Sequence, residues 1–179
     1  MIYTGERVMP WNAACGIDVI YPHIMRYAWA SRFCWQKDVV DLGCGTGYGS
    51  FILSLISRNV TGADIDEDAL EYAVTRFQAS NLSFTTCDLD VPEFPIGDIY
   101  VAFEVLEHLD DPLAVARLAR PMVWSMPISH ANPWHKQVLS IDEMEGYIGE
   151  VSWLQGLDGQ IVERSKAGPD PVYALGVIE

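Results

Sequence analysis

Lysine is scarce in this chain: three in 179 residues, beside eight arginines and against 25 acidic residues, for a net charge of −14. The basic residues are scattered, whereas a phosphate backbone is held by clustered Lys and Arg. A nucleic-acid partner is therefore disfavoured. Cysteine is sparse too. Cys15, Cys34, Cys44 and Cys87 stand far apart with no C-x-x-C pair, which points to reduced thiols in a cytoplasmic setting rather than zinc-bound or disulfide-bonded ones. No apolar run approaches the roughly 18 residues a membrane-spanning helix needs, so no membrane partner is expected. Met1 to Asn12 lacks the apolar segment of a secretion signal. Repeats, low-complexity tracts and linkers are also missing, so residues 1–179 are expected to form one domain with a substantial core.

What the chain does have is Val39-Val40-Asp41-Leu42-Gly43-Cys44-Gly45-Thr46-Gly47-Tyr48-Gly49. A β-branched run ends in an acid, and glycine then occupies every second position before a helical pattern begins. Glycine lets backbone approach a ligand closely, and helix N-terminal amides point into the same space. This reads as a nucleotide-type site at the carboxyl end of a parallel strand. A dinucleotide fingerprint would require glycine where Tyr48 stands. Asp41 would repel a pyrophosphate but suits a ligand carrying an ammonium and a sulfonium.

Periodicity predicts an irregular arm over 1–17, a helix over 18–35, strands at 38–42, 59–63, 82–87, 99–103 and 122–126, and helices at 47–57, 67–79, 111–119 and 141–149. Two last strands, 151–154 and 172–178, have no helix between them and are expected to pair as an antiparallel hairpin. Alternating strands and helices imply an α/β, Rossmann-like, seven-stranded, mostly parallel sheet with helices on both faces.

The pattern D-x-G-x-G-x-G, at Asp41, Gly43, Gly45 and Gly47, resembles motif I of the class I S-adenosylmethionine (SAM) methyltransferases. The resemblance implies SAM as cofactor, with Gly43, Cys44, Gly45 and Gly47 lining it and Asp41 reaching the methionine amino group directly or through water. Cys44 reads as a small loop residue rather than a nucleophile. Asp64 lies 21 residues after Gly43, where an acid accepts the ribose hydroxyls; Asp66 is the better helix cap. Ile65 and Leu89 would flank the nucleoside, and Asp88 matches the acid that receives the adenine amino group. The arm Thr4-Gly5-Glu6-Arg7-Val8-Met9-Pro10 with His23-Ile24-Met25-Arg26-Tyr27-Ala28 looks like the N-terminal box of a bacterial, glycan-associated subgroup. That likeness implies that residues 1–35 cover the cofactor, with Arg7 or Arg26 either pairing with the methionine carboxylate or lying on the surface.

After the fourth strand comes Glu104-Val105-Leu106-Glu107-His108. On one helical turn, Glu104, Glu107 and His108 project to the same face. Two carboxylates and an imidazole suit a hard divalent ion, Mg2+ or Mn2+, with His130 or His135 as a further ligand. E-x-x-E-H with a later histidine is similar to the metal site of small-RNA 3′-end 2′-O-methyltransferases, and also to the turn in ubiquinone-pathway O-methyltransferases. His135-Lys136 before a helix start matches the former better than His130 does. Three roles stay open: metal ligation by Glu104, Glu107, His108 and His135; a metal-free His108 base beside a cofactor-facing Glu104; or a purely structural turn. Trp134 and Trp11 are candidate acceptor walls, or core.

The connection before the fifth strand is shortened to Arg117–Met122, and the C-terminal half has no inserted substrate cap. A homodimer partner is one way to exclude water from such a site. The expected function is methyl transfer from SAM to a hydroxyl of a sugar, glycan precursor or other small molecule. The alternatives are RNA-end 2′-O-methylation and a catalytically silent SAM-binding subunit that activates a partner.

Overall fold

The computed structural model describes residues 8–12, 15–91, 93–168 and 170–179. The chain alternates α1 (Ile17–Cys34), β1 (Asp38–Leu42), α2 (Tyr48–Ser54), β2 (Asn59–Asp64), α3 (Glu67–Arg76), β3 (Leu82–Thr86) and β4 (Ile99–Phe103). A 3-10 turn, Leu106–His108, then leads to α4 (Pro112–Leu118), β5 (Met122–Pro127), α5 (Ile141–Tyr147), β6 (Trp153–Gln155), β7 (Ile161–Glu163) and β8 (Tyr173–Ile178). The strands form one sheet in the order β3-β2-β1-β4-β5-β8-β6-β7. The first five run parallel, while β8, β6 and β7 pair antiparallel.

The α/β Rossmann-like architecture is as expected, with one correction. The sheet has eight strands rather than seven. The additional one, β7, is three residues long and too short to show alternation. β6 therefore pairs on one side with β7 through a tight turn and on the other with β8, which sits between β5 and β6.

Successive strand residues point to opposite faces, and the two cores follow from that. Val39, Val60, Ile99, Val101 and Phe103 pack with Tyr27, Ala30 and Cys34 of α1 and Leu53 of α2. Val40, Leu42, Tyr100, Ala102 and Trp124 pack with Val115 and Ala116 of α4 and Met144 of α5. Capping sets the helix starts. Asp66 accepts from the amides of Asp68 and Ala69, and Ser140 with Glu143 forms a reciprocal capping box. Among the described residues no helix is long and apolar enough to cross a membrane. Because β1 to β5 are parallel, their carboxyl ends share one rim, which carries the loops after Leu42, Asp64, Thr86, Phe103 and Pro127.

Candidate active site

At the end of β1 the chain turns through Gly43, Gly45 and Gly47, all at positive φ (67°, 52° and 81°). They do different jobs. Gly43 and Gly45 line the rim cavities. Gly47 lines neither: a Cβ there would lie 2.5 Å from Ala73 and 2.9 Å from the Phe84 ring, so its small size serves helix packing. Asp64 holds the loop from β2, accepting from the Gly45 amide at 2.7 Å and the Asp66 amide at 3.0 Å.

Two cavities of about 360 and 370 Å³ open on this rim and share Gly43, Gly45, Glu104, His108 and Trp134. The second has apolar walls in Ile65, Leu89, Val105 and Leu109, with Asp64 and Asp88 supplying carboxylates. It offers the flat apolar slot and acceptor groups that a nucleoside requires. All four histidines of the chain, His23, His108, His130 and His135, line the first cavity. Cys44 lines it too, and burial pushes its thiol well above the usual range.

Asp41 stands apart from both cavities. It is fully buried, and its oxygens accept from Ser50 Oγ at 2.6 Å and Tyr27 Oη at 3.2 Å. An internal hydroxyl clamp thus holds its carboxylate behind the cavity walls, where a direct contact with a methionine amino group is not formed. Burial raises its pKa to about 7, with the two hydroxyl donors opposing. A carboxyl raised this way stabilises the fold fully below its unfolded value near 3.8 and loses that contribution as pH rises through about 7. Between pH 5 and pH 8 the contribution falls by roughly 3 kcal/mol. Urea unfolding of the ligand-free protein at both pH values is expected to show Asp41→Asn gaining about that much relative to the parent chain. An unchanged difference would mean that Asp41 stays ionised throughout.

The turn after β4 departs from the expected single helical face. Glu104 takes φ 55°, outside the helical region, and it is not among the residues Glu107, His108 and His135 whose ligand atoms cluster. Its Oε1 accepts from Ser125 Oγ at 3.0 Å and lies 4.0 Å from the Arg26 guanidinium. Arg26 is fully buried and lines neither cavity; it donates to Gln155 Oε1 at 2.7 Å and stacks 4.1 Å over the Tyr173 ring. The expected pairing of Arg26 with a ligand carboxylate gives way to this internal network. Thr4 to Arg7 lie outside the described residues. Val8 reaches the glycine loop, where its carbonyl accepts from Thr46 Oγ1 at 2.9 Å.

Glu107 and His108 instead meet His135. Glu107 is fully buried and neither carboxylate oxygen has a hydrogen-bond partner. Its Oε1 lies 4.0 Å from His108 Nε2 and 3.9 Å from His135 Nε2. Burial, then the neighbouring Glu104 charge, pushes its pKa well above the usual carboxylate range. The backbone ties the three together. The Glu107 carbonyl accepts from the amides of Lys136 and Gln137 at 2.8 and 2.9 Å, and Lys136 pairs with Asp110 at 2.7 Å. His130 stays exposed, its ring 5.8 Å from that of His135.

Trp134 lines both cavities. Trp11 does not reach them; its ring packs 5.3 Å from that of Phe77, beneath Arg76. Sequence reasoning missed the opposite wall, where His23 Nδ1 lies 3.1 Å from Tyr48 Oη. Burial, then Arg26, lowers the His23 pKa well below 6.5, so its imidazole is neutral. The signals were the segment His23 to Ala28, already expected to cover the cofactor, and the i, i+4 spacing of His23 and Tyr27 on α1, which places both on one helix face.

Residues 39–122 match the family model described as a methyltransferase domain. Over 172 residues the chain is 27% identical to a protein of Mycobacterium tuberculosis described as a probable S-adenosylmethionine-dependent methyltransferase, covering 84% of this chain and 61% of that protein. The chain thus spans less than two thirds of that relative's length. A ubiquinone biosynthesis O-methyltransferase of Nitrosospira multiformis is 34% identical over 97 residues, 49% of this chain and 41% of that protein. Among solved structures, magnesium protoporphyrin IX methyltransferase from Synechocystis PCC 6803, with bound SAH, superposes with a TM-score of 0.68 at 17% identity, covering 97% of this chain and 90% of that one. Residues 39–122 thus match a methyltransferase-domain model, and the chain shares the α/β Rossmann-like fold of that solved structure.

Proposed function

We propose that this chain is a SAM-dependent methyltransferase that transfers the methyl group to a hydroxyl oxygen of a sugar, glycan precursor or other small molecule, assisted by a divalent cation at Glu107, His108 and His135. The observation that carries the reading is Glu107: a fully buried carboxylate without a hydrogen-bond partner, facing two imidazoles in the wall of the first cavity. A buried charge of this kind needs a counter-charge. The resemblance to ubiquinone O-methyltransferases, though it covers half of this chain, supports oxygen as the acceptor.

In this reading Asp64 and Asp88 accept the ribose and adenine hydrogens of the cofactor, and Ile65 and Leu89 hold its ring. Gly43 and Gly45 admit the cofactor to the backbone, which sets its methyl group toward the first cavity. A cation bound at the Glu-His-His group would lower the pKa of the acceptor hydroxyl. His108 and Trp134 stand at the junction of the cavities; with His108 holding the cation, the acceptor proton would leave to solvent there. Most of the rate then comes from holding the acceptor oxygen in line with the methyl carbon and its sulfur. No lysine or arginine lines the first cavity among the described residues, so an uncharged acceptor is favoured over an RNA end.

The test is calorimetric. S-adenosylhomocysteine is titrated into metal-stripped protein, and manganese into the saturated complex. One-to-one binding of both, with the manganese event lost in His135→Ala, supports the reading. Cofactor binding without a cation leaves a metal-free transferase with His108 as base, or a silent subunit, and turnover separates those two. Absence of cofactor binding sinks the proposal.

A further inference from the structure

The histidines of the first cavity are of two kinds. His108 Nδ1 faces the Trp134 carbonyl at 2.9 Å, and His135 Nδ1 faces the His130 carbonyl at 2.8 Å. A carbonyl only accepts, so both rings carry their hydrogen on Nδ1 and leave an Nε2 lone pair. His23, on α1, is the reverse case. Its Nδ1 lies 3.1 Å from Tyr48 Oη, and burial pushes the Tyr48 phenol well above its usual range, so that hydroxyl keeps its proton. Among the described residues His23 Nδ1 is the acceptor found for that proton, which puts the hydrogen of the neutral His23 ring on Nε2. Nε2 meets no hydrogen-bond partner among the described residues, and His23 lines the cavity.

That N–H requires an oxygen lone pair, and the cavity selects which oxygen. Glu104 and Glu107 line the same space, and no lysine or arginine does among the described residues. A carboxylate would meet like charges without a counter-ion, whereas an uncharged carbonyl meets only the donor. The surroundings add an alkyl group to that carbonyl. Val19 lies one turn before His23 on the same helix face and lines the cavity too. Leu157 and Val172 also line it, and β6 ties their segments to this part of α1. Gln155 donates to the Pro22 carbonyl at 3.0 Å, and its own carbonyl accepts from the Val172 amide at 2.9 Å. A carbonyl joined to a short alkyl group is an acyl group.

We propose that His23, held by Tyr48, reads an acyl carbonyl on the methyl acceptor, and that the acceptor is an N-acylated amino sugar. The inference rests on the methyl-transfer reading above and narrows its acceptor class. Such a sugar presents a hydroxyl to the side of Glu107, His108 and His135 and its amide carbonyl to His23. An amide oxygen accepts a hydrogen bond more strongly than an ester oxygen, which favours an N-acyl over an O-acyl group. Trp134 and Tyr173 line the cavity with aromatic faces for the ring.

The full chain, saturated with S-adenosylhomocysteine and with manganese present, is titrated with N-acetylglucosamine and separately with glucose. N-acetylglucosamine is expected to bind more tightly by at least about tenfold, the factor that one neutral hydrogen bond and one buried methyl group together supply. His23→Leu should cut that preference to within about threefold, and His23→Gln, which keeps an N–H donor, should retain most of it. Rescue by glutamine is a result that a merely structural histidine does not give. Equal binding of the two sugars, or binding of neither, overturns the proposal, and that comparison uses the unaltered chain, so it stands even if a variant fails to fold. A preference that survives in His23→Leu overturns it as well. If His23→Leu instead weakens S-adenosylhomocysteine itself by tenfold or more, His23 serves the cofactor and the inference falls. Cofactor binding without sugar discrimination defeats this inference alone, and absence of cofactor binding defeats the methyltransferase reading beneath it.

Discussion

Methyl transfer by a Glu107→Gln variant is expected to fall by about 10²- to 10⁴-fold, while affinity for S-adenosylhomocysteine and the thermal midpoint stay near those of the parent chain. The two halves of that expectation rest on different observations. Glu107 lines only the first cavity, and the apolar slot with Asp64 and Asp88 is built without it. Removing its charge therefore leaves nucleoside contacts intact. Glutamine keeps the volume, and the carboxylate it replaces makes no hydrogen bond that could be lost. A buried charge without a partner costs stability rather than supplying it. The fold draws no hydrogen bond from the Glu107 carboxylate, so the value of that group lies in what it binds or moves. His108→Ala is expected to lose activity by a similar factor. Turnover at the parent rate in both variants would remove the turn after β4 from the chemistry.

The parallel half of the sheet was legible because each of its strands announces itself locally. Val39-Val40 and the glycines after Leu42 form a short-range signal, and Asp66 carries the preferred cap chemistry for the helix it starts. His135 was also legible as the partner of the turn, and the structure brings it to 3.9 Å from Glu107. The site's division of labour was not legible. The left-handed backbone at Glu104 has no local cause in its sequence neighbours. It coincides with capture of the carboxylate by Ser125 on the next strand and Arg26 on a remote helix. Helical spacing assumes αR backbone throughout, and Glu104 lies outside that region and outside the Glu107, His108 and His135 cluster. Asp41 escaped for the same kind of reason. Its partners, Tyr27 and Ser50, come from two helices that no spacing rule connects. β7 is a third instance, since three residues cannot display a period.

Arg26 carries the second large effect. Arg26→Met is expected to destabilise the ligand-free chain by about 3 kcal/mol or more, the scale for leaving one partner of a buried pair uncompensated. Its guanidinium joins three parts of the fold that close the first cavity. It donates to Gln155 on β6 and stacks on Tyr173 of β8, while standing beside Glu104 at the end of β4. Gln155 in turn donates to the carbonyls of Pro22 on α1 and Gly159 in the β6–β7 turn, at 3.0 and 3.1 Å. Truncating Arg26 strips the Gln155 carbonyl of its donor and leaves Glu104 in a site that no longer holds a cation.

Urea denaturation of Arg26→Met, Glu104→Gln and the double variant separates charge from packing. If the ion pair matters, the double variant loses less than the sum of the singles, with a coupling of at least about 1 kcal/mol. Zero coupling would assign Arg26 to packing and to Gln155 alone. Arg26→Lys sharpens the distinction, because a lysine restores the charge but not the planar fork that stacks on Tyr173 and bonds Gln155. Recovery of stability with lysine would make the charge the operative feature. Failure to recover would make it the fork, and the position of α1 over the cavity would then depend on a bidentate-type donor at that point.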